Sequence, residues 1–178
     1  GGQTSADGAL QLDMTGHNRM LRLDVPGKVV RVQAGMRWRE LQALLDPHDL
    51  SVKVMQSFSS FTIGGSVGVN CHGRYVGNGS LAATIRALQV VLRSGEVLET
   101  SRSQHPDLFA AVIGGYGLLA VVSEVELDLA DNTRMARHMQ RVALADYPQW
   151  FADNVQSRGD ALMHNADLLP PRFDAPVT

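Results

Sequence analysis

Cysteine is nearly absent from this chain of 178 residues, which contains only Cys71. A single thiol cannot form an internal disulfide bond, and its isolation fits a reducing compartment, so we expect a cytoplasmic protein. The sequence also lacks the clusters of cysteine and histidine that hold zinc. We therefore expect neither a disulfide scaffold nor a structural metal site.

Charge and long apolar runs are scarce as well. Charged residues make up 19% of the chain and the net charge is −2, which gives no reason to expect a nucleic-acid partner. No apolar run approaches the roughly 18 residues that a membrane-spanning helix needs. Since 44% of the residues are hydrophobic, the composition is typical of a globular protein with an ample core.

Both ends of the sequence predict a piece of a longer protein. The chain begins with Gly1-Gly2-Gln3, without an initiator methionine and without the charged and apolar segments of a signal peptide. It stops at Thr178, shortly after a strand-like segment. We therefore expect further residues on both sides.

Apolar and polar residues alternate over several short stretches, as they do in half-buried β-strands. Pro26-Gly27 and Ser94-Gly95 each separate two such stretches and predict hairpins. Helical spacing follows Arg37 and His105. The predicted strands cover residues 9–14, 20–25, 28–35, 51–55, 85–92, 96–100 and 118–129. Hairpins with intervening helices predict an α+β fold and not a doubly wound parallel sheet.

The composition turns polar around Asp131-Asn132-Thr133, where we place a domain boundary. Beyond it, residues 135–144 and 161–169 are candidate strands. Residues 147–155 carry their aromatic side chains at near-helical spacing, which predicts a helix.

The segment from Thr62 to Gly73 holds four glycines within twelve residues. A tight chain reversal explains such a segment. So does a phosphate cradle, because helix-compatible residues around the glycines predict a helix N-terminus with unpaired N–H groups. No lysine follows in the Walker arrangement, and the spacing differs from the dinucleotide pattern G-x-G-x-x-G, so both of those loops are disfavoured.

A second glycine turn, Gly114-Gly115-Tyr116-Gly117, precedes the longest apolar strand. It can end a helix and begin a buried strand, and the same turn can also seat a flat heteroaromatic ring against the main chain. Two such segments predict one ligand that is held by backbone at two places. This is more typical of a cofactor than of a substrate.

Three side chains at the end of the first segment are candidates for chemistry. His72 is either a satisfied histidine or, beside a redox cofactor, a group that polarises the ring or moves a proton. Cys71 is expected to be a small buried side chain and not a nucleophile. Arg74 faces either a substrate or solvent.

Taken in order, these segments resemble the FAD-linked oxidase family, also called the vanillyl-alcohol oxidase or PCMH-type flavoproteins. The resemblance is nearest to the branch of sugar and alditol oxidases and decaprenylphosphoryl-ribose 2-oxidases, and it runs from the first residue to about Asn132. Each element is weak alone, but their order and spacing are specific. The elements are Gly1-Gly2-Gln3, Leu12-Asp13-Met14 with Asn18, Val32-Gln33-Ala34-Gly35, Trp38-Arg39-Glu40-Leu41, Thr62-Ile63-Gly64-Gly65, His72-Gly73, Ser94-Gly95-Glu96, Asp107-Leu108-Phe109 and the second glycine turn.

The resemblance implies a fold, a cofactor and an activity. The fold is an FAD-binding PCMH-type domain of two α+β subdomains over residues 1–132, incomplete at its N-terminus, followed by the beginning of a cap or substrate domain over residues 133–178. The implied activity is oxidation of an alcohol carbon of a sugar-like or polyol substrate by hydride transfer to FAD, with oxygen or another electron acceptor. The alternative is a non-catalytic FAD-binding module or a fragment that holds no cofactor.

The resemblance also implies which residues meet FAD. Residues around Gly65 line the pyrophosphate and ribityl region, residues around His72 approach the flavin, and two valines meet the adenosine half. Ser57 stands where many relatives carry a glycine-containing turn. His72 and, on the substrate side, Arg74 are the candidate catalytic residues. The candidate cofactor-binding residues are Gly2, Gln3, Ser57, Thr62, Gly64, Gly65, Gly68, Cys71, His72, Gly117, Val121 and Val122.

Overall fold

The computed structural model describes residues 7–8 and 11–168. The chain forms two compact units. The first consists of Gly1–Gly73 and Ser80–Asn132, and the second consists of Arg74–Gly79 and Thr133–Thr178. The assignment of the two units to an FAD-binding domain and a cap domain stays a prediction.

The described part of the first unit contains an antiparallel sheet and three short α-helices. Its strands are β1 (Met20–Asp24), β2 (Val29–Gln33), β3 (Leu50–Val52), β4 (Ile85–Val91), β5 (Val97–Ser101) and β6 (Val121–Asp131), and its helices are α1 (Trp38–Leu45), α2 (Ile63–Gly68) and α3 (Pro106–Val112). The strand order is β1-β2-β6-β4-β5, with β3 paired to the far end of β6. The expected α+β class is therefore confirmed.

The alternation of side chains along the strands gives the sheet one apolar and one charged face. In β6, Val125, Leu127 and Leu129 are buried, and the intervening residues are acidic. Those carboxylates pair with cations of β1, β2 and β4. Arg31 Nε donates to Glu124 at 2.6 Å, while Arg22 reaches Glu126 and Arg86 reaches Asp128. One face of the sheet is therefore covered by ion pairs, and the hydrophobic core lies on the other.

The helices contribute their apolar sides to that core. Trp38, Leu41 and Leu45 of α1 are fully buried, as their spacing of three and four residues predicts for one helical face. Phe109 and Val112 of α3 join the same cluster. The burial of these large side chains is the main favourable contribution to the stability of the unit.

Among its residues up to 168, the second unit contains one α-helical turn and one π-helical turn. Helix α4 covers Tyr147–Phe151 and continues as a π-helix over Ala152–Gln156. The Tyr147 hydroxyl lies 2.8 Å from Nε2 of His164. His164 also donates its backbone N–H to the carbonyl oxygen of Arg74 at 2.8 Å. Arg74–Gly79 is thus tied to the C-terminal part of the described chain.

Two strand predictions are wrong. Residues 11–14 form no strand, and residues 9–10 of the same predicted strand lie outside the described residues. The Met14 carbonyl instead accepts a turn hydrogen bond from His17 at 2.9 Å, and the chain packs against Gly35. Residues 135–144 form no strand either. They are almost all exposed; Val142 alone among them is buried and takes part in a bridge, so the alternation does not extend into a paired strand.

The predicted strand over residues 161–169 is reduced, within the described residues, to one isolated bridge between Tyr75 and Met163. None of the helices within residues 11–168 has the length and apolar character needed to cross a lipid bilayer.

Replacing Gly35 by alanine should destabilise the first unit. An alanine Cβ there would lie 1.7 Å from the Met14 carbonyl oxygen, so the backbone of residues 14–17 would have to move. Overpacking of this kind typically costs about 1–3 kcal/mol. Thermal or urea unfolding followed by circular dichroism measures the loss.

Gly16→Ala is the matched control, because a Cβ at Gly16 meets no atom within 4 Å. Equal unfolding midpoints for the two variants would contradict the close contact between Gly35 and Met14.

Candidate functional site

The first glycine segment forms α2, as the sequence predicts, but the helix begins without free donors. Thr62 caps it, with its Oγ1 accepting from the N–H of Gly65 at 3.2 Å. The N–H groups of Ile63 and Gly64 donate to the carbonyl oxygens of Met36 and Ala34, at 2.8 and 2.7 Å. The expectation of unpaired N–H groups at this N-terminus is therefore wrong, because Thr62 and the segment just after β2 already supply the acceptors.

The three glycines of α2 differ in how closely other atoms approach the place that a Cβ would take. A Cβ at Gly64 would lie 2.8 Å from the Ala34 Cβ, so this glycine lets the helix approach the main chain after β2. A Cβ at Gly65 would lie 3.0 Å from Oγ1 of Thr62, and one at Gly68 would meet no atom within 4 Å. Gly64 serves internal packing, whereas the backbone at Gly68 is open to a ligand.

The second glycine turn docks onto the C-terminal end of α2. The N–H of Gly114 donates to the Val67 carbonyl, and the N–H of Tyr116 donates to the Gly68 carbonyl, both at 2.9 Å. A Cβ at Gly117 would also meet no atom within 4 Å. The structure therefore brings the two glycine segments together and leaves open main chain on each, at Gly68 and Gly117.

The two candidate valines begin the strand that follows this turn. Val121 lies opposite Val91 and Val122 opposite Val90, in the pairing of β6 with β4. Both side chains are half-buried, so each leaves apolar surface exposed at this end of the sheet.

Ser57 lies in an exposed loop that leads into α2. Within the described residues, the backbone N–H groups of Ser57, Phe58, Ser59 and Ser60 donate to no protein acceptor. The loop is nevertheless held in place, since the N–H of Arg39 donates to the Ser59 carbonyl at 3.0 Å. A fixed loop with free N–H groups is a suitable binding element for an anion such as a phosphate group.

Sequence reasoning did not identify the importance of Ser66, which is fully buried. The indole Nε1 of Trp38 donates to Ser66 Oγ at 2.8 Å. The Ser66 hydroxyl in turn lies 2.5 Å from Gln56 Oε1 and 2.9 Å from the Thr62 carbonyl oxygen. This network joins α1, α2 and the residue just before Ser57. The only sequence signal was a serine between the apolar neighbours of a short helix.

Cys71 is buried and His72 is exposed. The Cys71 side chain is 7% exposed and belongs to the core cluster. Burial raises the pKa of its thiol above the ordinary value of 9.0, although a hydrogen bond with Ser66 partly opposes this. Nδ1 of His72 lies 3.4 Å from the Gly73 carbonyl oxygen, and His72 forms an isolated bridge with Ser80.

Three candidate residues remain, namely Arg74, Gly2 and Gln3. The Arg74 side chain is exposed, and its residue belongs to the second unit. Gly2 and Gln3 lie outside the described residues. Among residues 7–8 and 11–168, no group of three or more histidine, cysteine, aspartate or glutamate side chains is placed to hold a metal ion.

Comparison with known sequences identifies the family. Residues 1–101 match the family described as FAD binding domain. The chain belongs to this family. The resemblance to FAD-linked oxidases is thereby confirmed, and FAD is the cofactor of the family.

The relatives include three oxidases. L-gulonolactone oxidase of Bos taurus is 30% identical over 140 residues, which are 79% of this chain and 31% of the relative. Decaprenylphosphoryl-beta-D-ribose oxidase of Mycolicibacterium smegmatis is 31% identical over 124 residues, or 68% of this chain and 27% of the relative. Alditol oxidase of a Streptomyces species is 30% identical over 117 residues, or 66% and 28%. The chain thus spans about a third or less of each.

The described residues fit FAD. The cofactor contains two phosphate groups and two flat ring systems. Free N–H groups on the loop after Gln56 suit the phosphates, and open main chain at Gly68 and Gly117 lets a flat ring approach the backbone. Among the described residues, no atom lies within 4 Å of the place that a Cβ would take at Gly68 or at Gly117.

The Cys71 thiol should react slowly in the folded protein. Because its pKa is raised, it stays protonated at neutral pH, and burial hides it from an aromatic disulfide reagent. We expect the absorbance of the released thiolate to appear much faster after urea unfolding. Equal rates in folded and unfolded protein would contradict the burial of Cys71.

The same shift predicts a pH dependence. The folded chain holds the Cys71 proton more tightly than the unfolded chain does. This thiol therefore leaves the free energy of unfolding unchanged at pH values below its pKa in the unfolded chain, about 9, and lowers it as the pH rises above that pKa. The stability advantage of the wild type over Cys71→Ala should therefore shrink between neutral pH and about pH 10. An advantage that grows over this range would contradict the direction of the shift.

Proposed function

We propose that this chain is the FAD-binding part of an oxidoreductase that oxidises a CH–OH group of a sugar-like or polyol substrate. The family supplies the cofactor, and the names of the relatives supply the substrate class. Those names give a sugar lactone, a ribose derivative and an alditol as the molecules oxidised. The substrate of this protein is proposed to belong to the same broad class.

The observation that carries the proposal is the contact between the two glycine segments. Their junction is formed by the hydrogen bonds from Gly114 to Val67 and from Tyr116 to Gly68. Packing leaves room for a side chain at both 68 and 117; the φ of +75° favours glycine at 117, whereas neither packing nor φ explains the glycine at 68. A ligand that lies against the main chain at both places gives a reason for the open surface.

Each part of the chain then has a role toward FAD. The loop over residues 57–60 binds the phosphates through its N–H groups, and Thr62 and Gly65 hold the adjoining helix end in place. Val121 and Val122 offer apolar surface to a ring. When bound, FAD would supply the redox chemistry, that is, the capacity to take up a hydride from the alcohol carbon and to pass the two electrons on to oxygen or another acceptor.

The proposed catalytic side chains lie at the end of the first glycine segment, at His72, and directly after it, at Arg74. The exposed ring of His72 is available to hold or move a proton near the flavin, whereas buried Cys71 fixes the backbone beside it by donating to the Ser66 carbonyl at 3.0 Å. Arg74 has the weaker proposed role, that of holding a substrate oxygen with its guanidinium group.

Gly68→Ala tests the proposed cofactor surface. In the intact protein this change should leave folding stability equal or slightly higher, since alanine favours a helix over glycine by up to about 1 kcal/mol. If FAD lies against the Gly68 backbone, its affinity should fall by about tenfold or more, because overpacking costs about 1–3 kcal/mol. Titration of apoprotein with FAD, followed by flavin absorbance, measures this.

Gly159→Ala is the control, since a Cβ at Gly159 also meets no atom within 4 Å. Normal FAD affinity in Gly68→Ala would reject the position of the cofactor. An intact wild-type protein that takes up no FAD would support the alternative, a fragment or module without cofactor chemistry. Retained FAD that is not bleached anaerobically by any sugar lactone or polyol would support a non-catalytic FAD-binding module.

A further inference from the structure

Tyr116 adopts a backbone conformation that its side chain does not favour. Its φ is +55°, in the left-handed region, between Gly114 at +81° and Gly117 at +75°. For a residue with a Cβ, this conformation typically costs about 1 kcal/mol or more. Glycine would adopt it without that cost. A tyrosine in this turn therefore reduces stability unless its side chain compensates.

The Tyr116 side chain forms no hydrogen bond or ring contact with the rest of the described chain. It is 54% exposed, and within residues 7–8 and 11–168 its ring and its hydroxyl have no aromatic or hydrogen-bond partner. Tyr147 is a useful contrast, because its hydroxyl pairs with His164 and its ring packs against Trp150 and Phe151. The fold does not account for an aromatic side chain at position 116.

The surroundings of Tyr116 point to a ligand. Its N–H donates to the Gly68 carbonyl at 2.9 Å, which fixes the residue beside one open stretch of main chain, and Gly117 next to it provides another. Leu118 and Leu119 follow with 87% and 53% exposure. An aromatic ring fixed next to open backbone and exposed apolar side chains is suited to pack on a flat heteroaromatic ring.

We propose that Tyr116 is a cofactor-contact residue whose ring stacks on one of the two planar ring systems of FAD. This inference rests on the proposed function, because it takes FAD to be the occupant of the open surface at Gly68 and Gly117. It adds a side chain to a site that is otherwise built from backbone. The ligand contact compensates for the unfavourable φ of Tyr116.

The test separates the ring from the turn. Tyr116→Asn removes the ring but keeps a residue that tolerates the left-handed conformation, so the unfolding midpoint of the apoprotein should stay equal or rise. FAD affinity should fall by up to about tenfold, the size of an aromatic stacking contribution. Tyr116→Phe keeps the ring and should retain the affinity. Tyr116→Leu keeps the unfavourable φ but has no aromatic ring, so its affinity for FAD should fall as in Tyr116→Asn.

Two smaller probes identify which ring system is contacted. FMN contains the flavin without adenine, and ADP contains adenine without the flavin. If Tyr116→Asn binds FMN more weakly than the wild type but binds ADP equally well, the result supports stacking on the flavin. If it binds ADP more weakly but FMN equally well, the result supports stacking on adenine. Unchanged binding of FMN, ADP and FAD would overturn the proposal.

The other outcomes are also distinguishable. If the intact wild type binds no FAD, the proposed function fails. If the wild type binds FAD and Tyr116→Asn binds it equally, only the role of Tyr116 fails. A marked loss of apoprotein stability in Tyr116→Asn would show that the ring supports the fold, which would also overturn the proposal.

Discussion

The approach of α2 to the end of β2 is the constraint on which the rest of the site depends. Gly64 donates to the Ala34 carbonyl at 2.7 Å, and Ala34 donates to the Ser123 carbonyl at 2.8 Å. The helix is thereby attached to the main chain that joins β2 to β6. If residue 64 carried a Cβ, this atom would lie 2.8 Å from the Ala34 Cβ, and the helix could not come so close. Its C-terminal end would then not present the carbonyls of Val67 and Gly68 to the second glycine turn.

The buried network around Ser66 fixes the same helix from the other side. Trp38 is fully buried, so its indole N–H needs an acceptor, and Ser66 provides it. Gln56 and Thr62 complete the network and hold the preceding loop against α2. The loop over residues 57–60 therefore keeps its N–H groups exposed in a defined position, which lowers the entropy lost when a ligand binds.

The charged face of the sheet does not compete for an anionic cofactor. Burial disfavours the charged form of Arg31, but its hydrogen bonds with Glu99 and Glu124 outweigh this effect and raise its pKa. Arg22 and Arg86 are likewise paired with carboxylates. These three cations are neutralised locally, so they give the charged face little attraction for the phosphate groups of FAD.

Much of the sheet could be predicted from sequence, because alternation and turn residues act locally. The hairpins around Pro26-Gly27 and Ser94-Gly95 are found where they were expected. The docking of Tyr116 on Gly68 could not be predicted, since it joins residues far apart in sequence through backbone atoms. Residues 11–14 of the expected strand over 9–14 form no strand for a related reason: the pattern is present, but Gly35 offers a packing site and not a pairing edge.

The path of the chain at His72 and Ser80 has a consequence for changes in the length of the segment between them. These two residues form a bridge, and Leu81 donates to the Cys71 carbonyl at 2.8 Å just beyond it. The backbone of the first unit thus leaves at one point and returns at the same point, while Arg74–Gly79 belongs to the second unit. The intervening segment is hydrogen-bonded within the second unit, where Val76 donates to the Leu162 carbonyl and His164 donates to the Arg74 carbonyl. A change in its length would therefore disturb the pairing of the second unit, whereas the bridge at His72 and Ser80 keeps the pairing of the first unit separate from it.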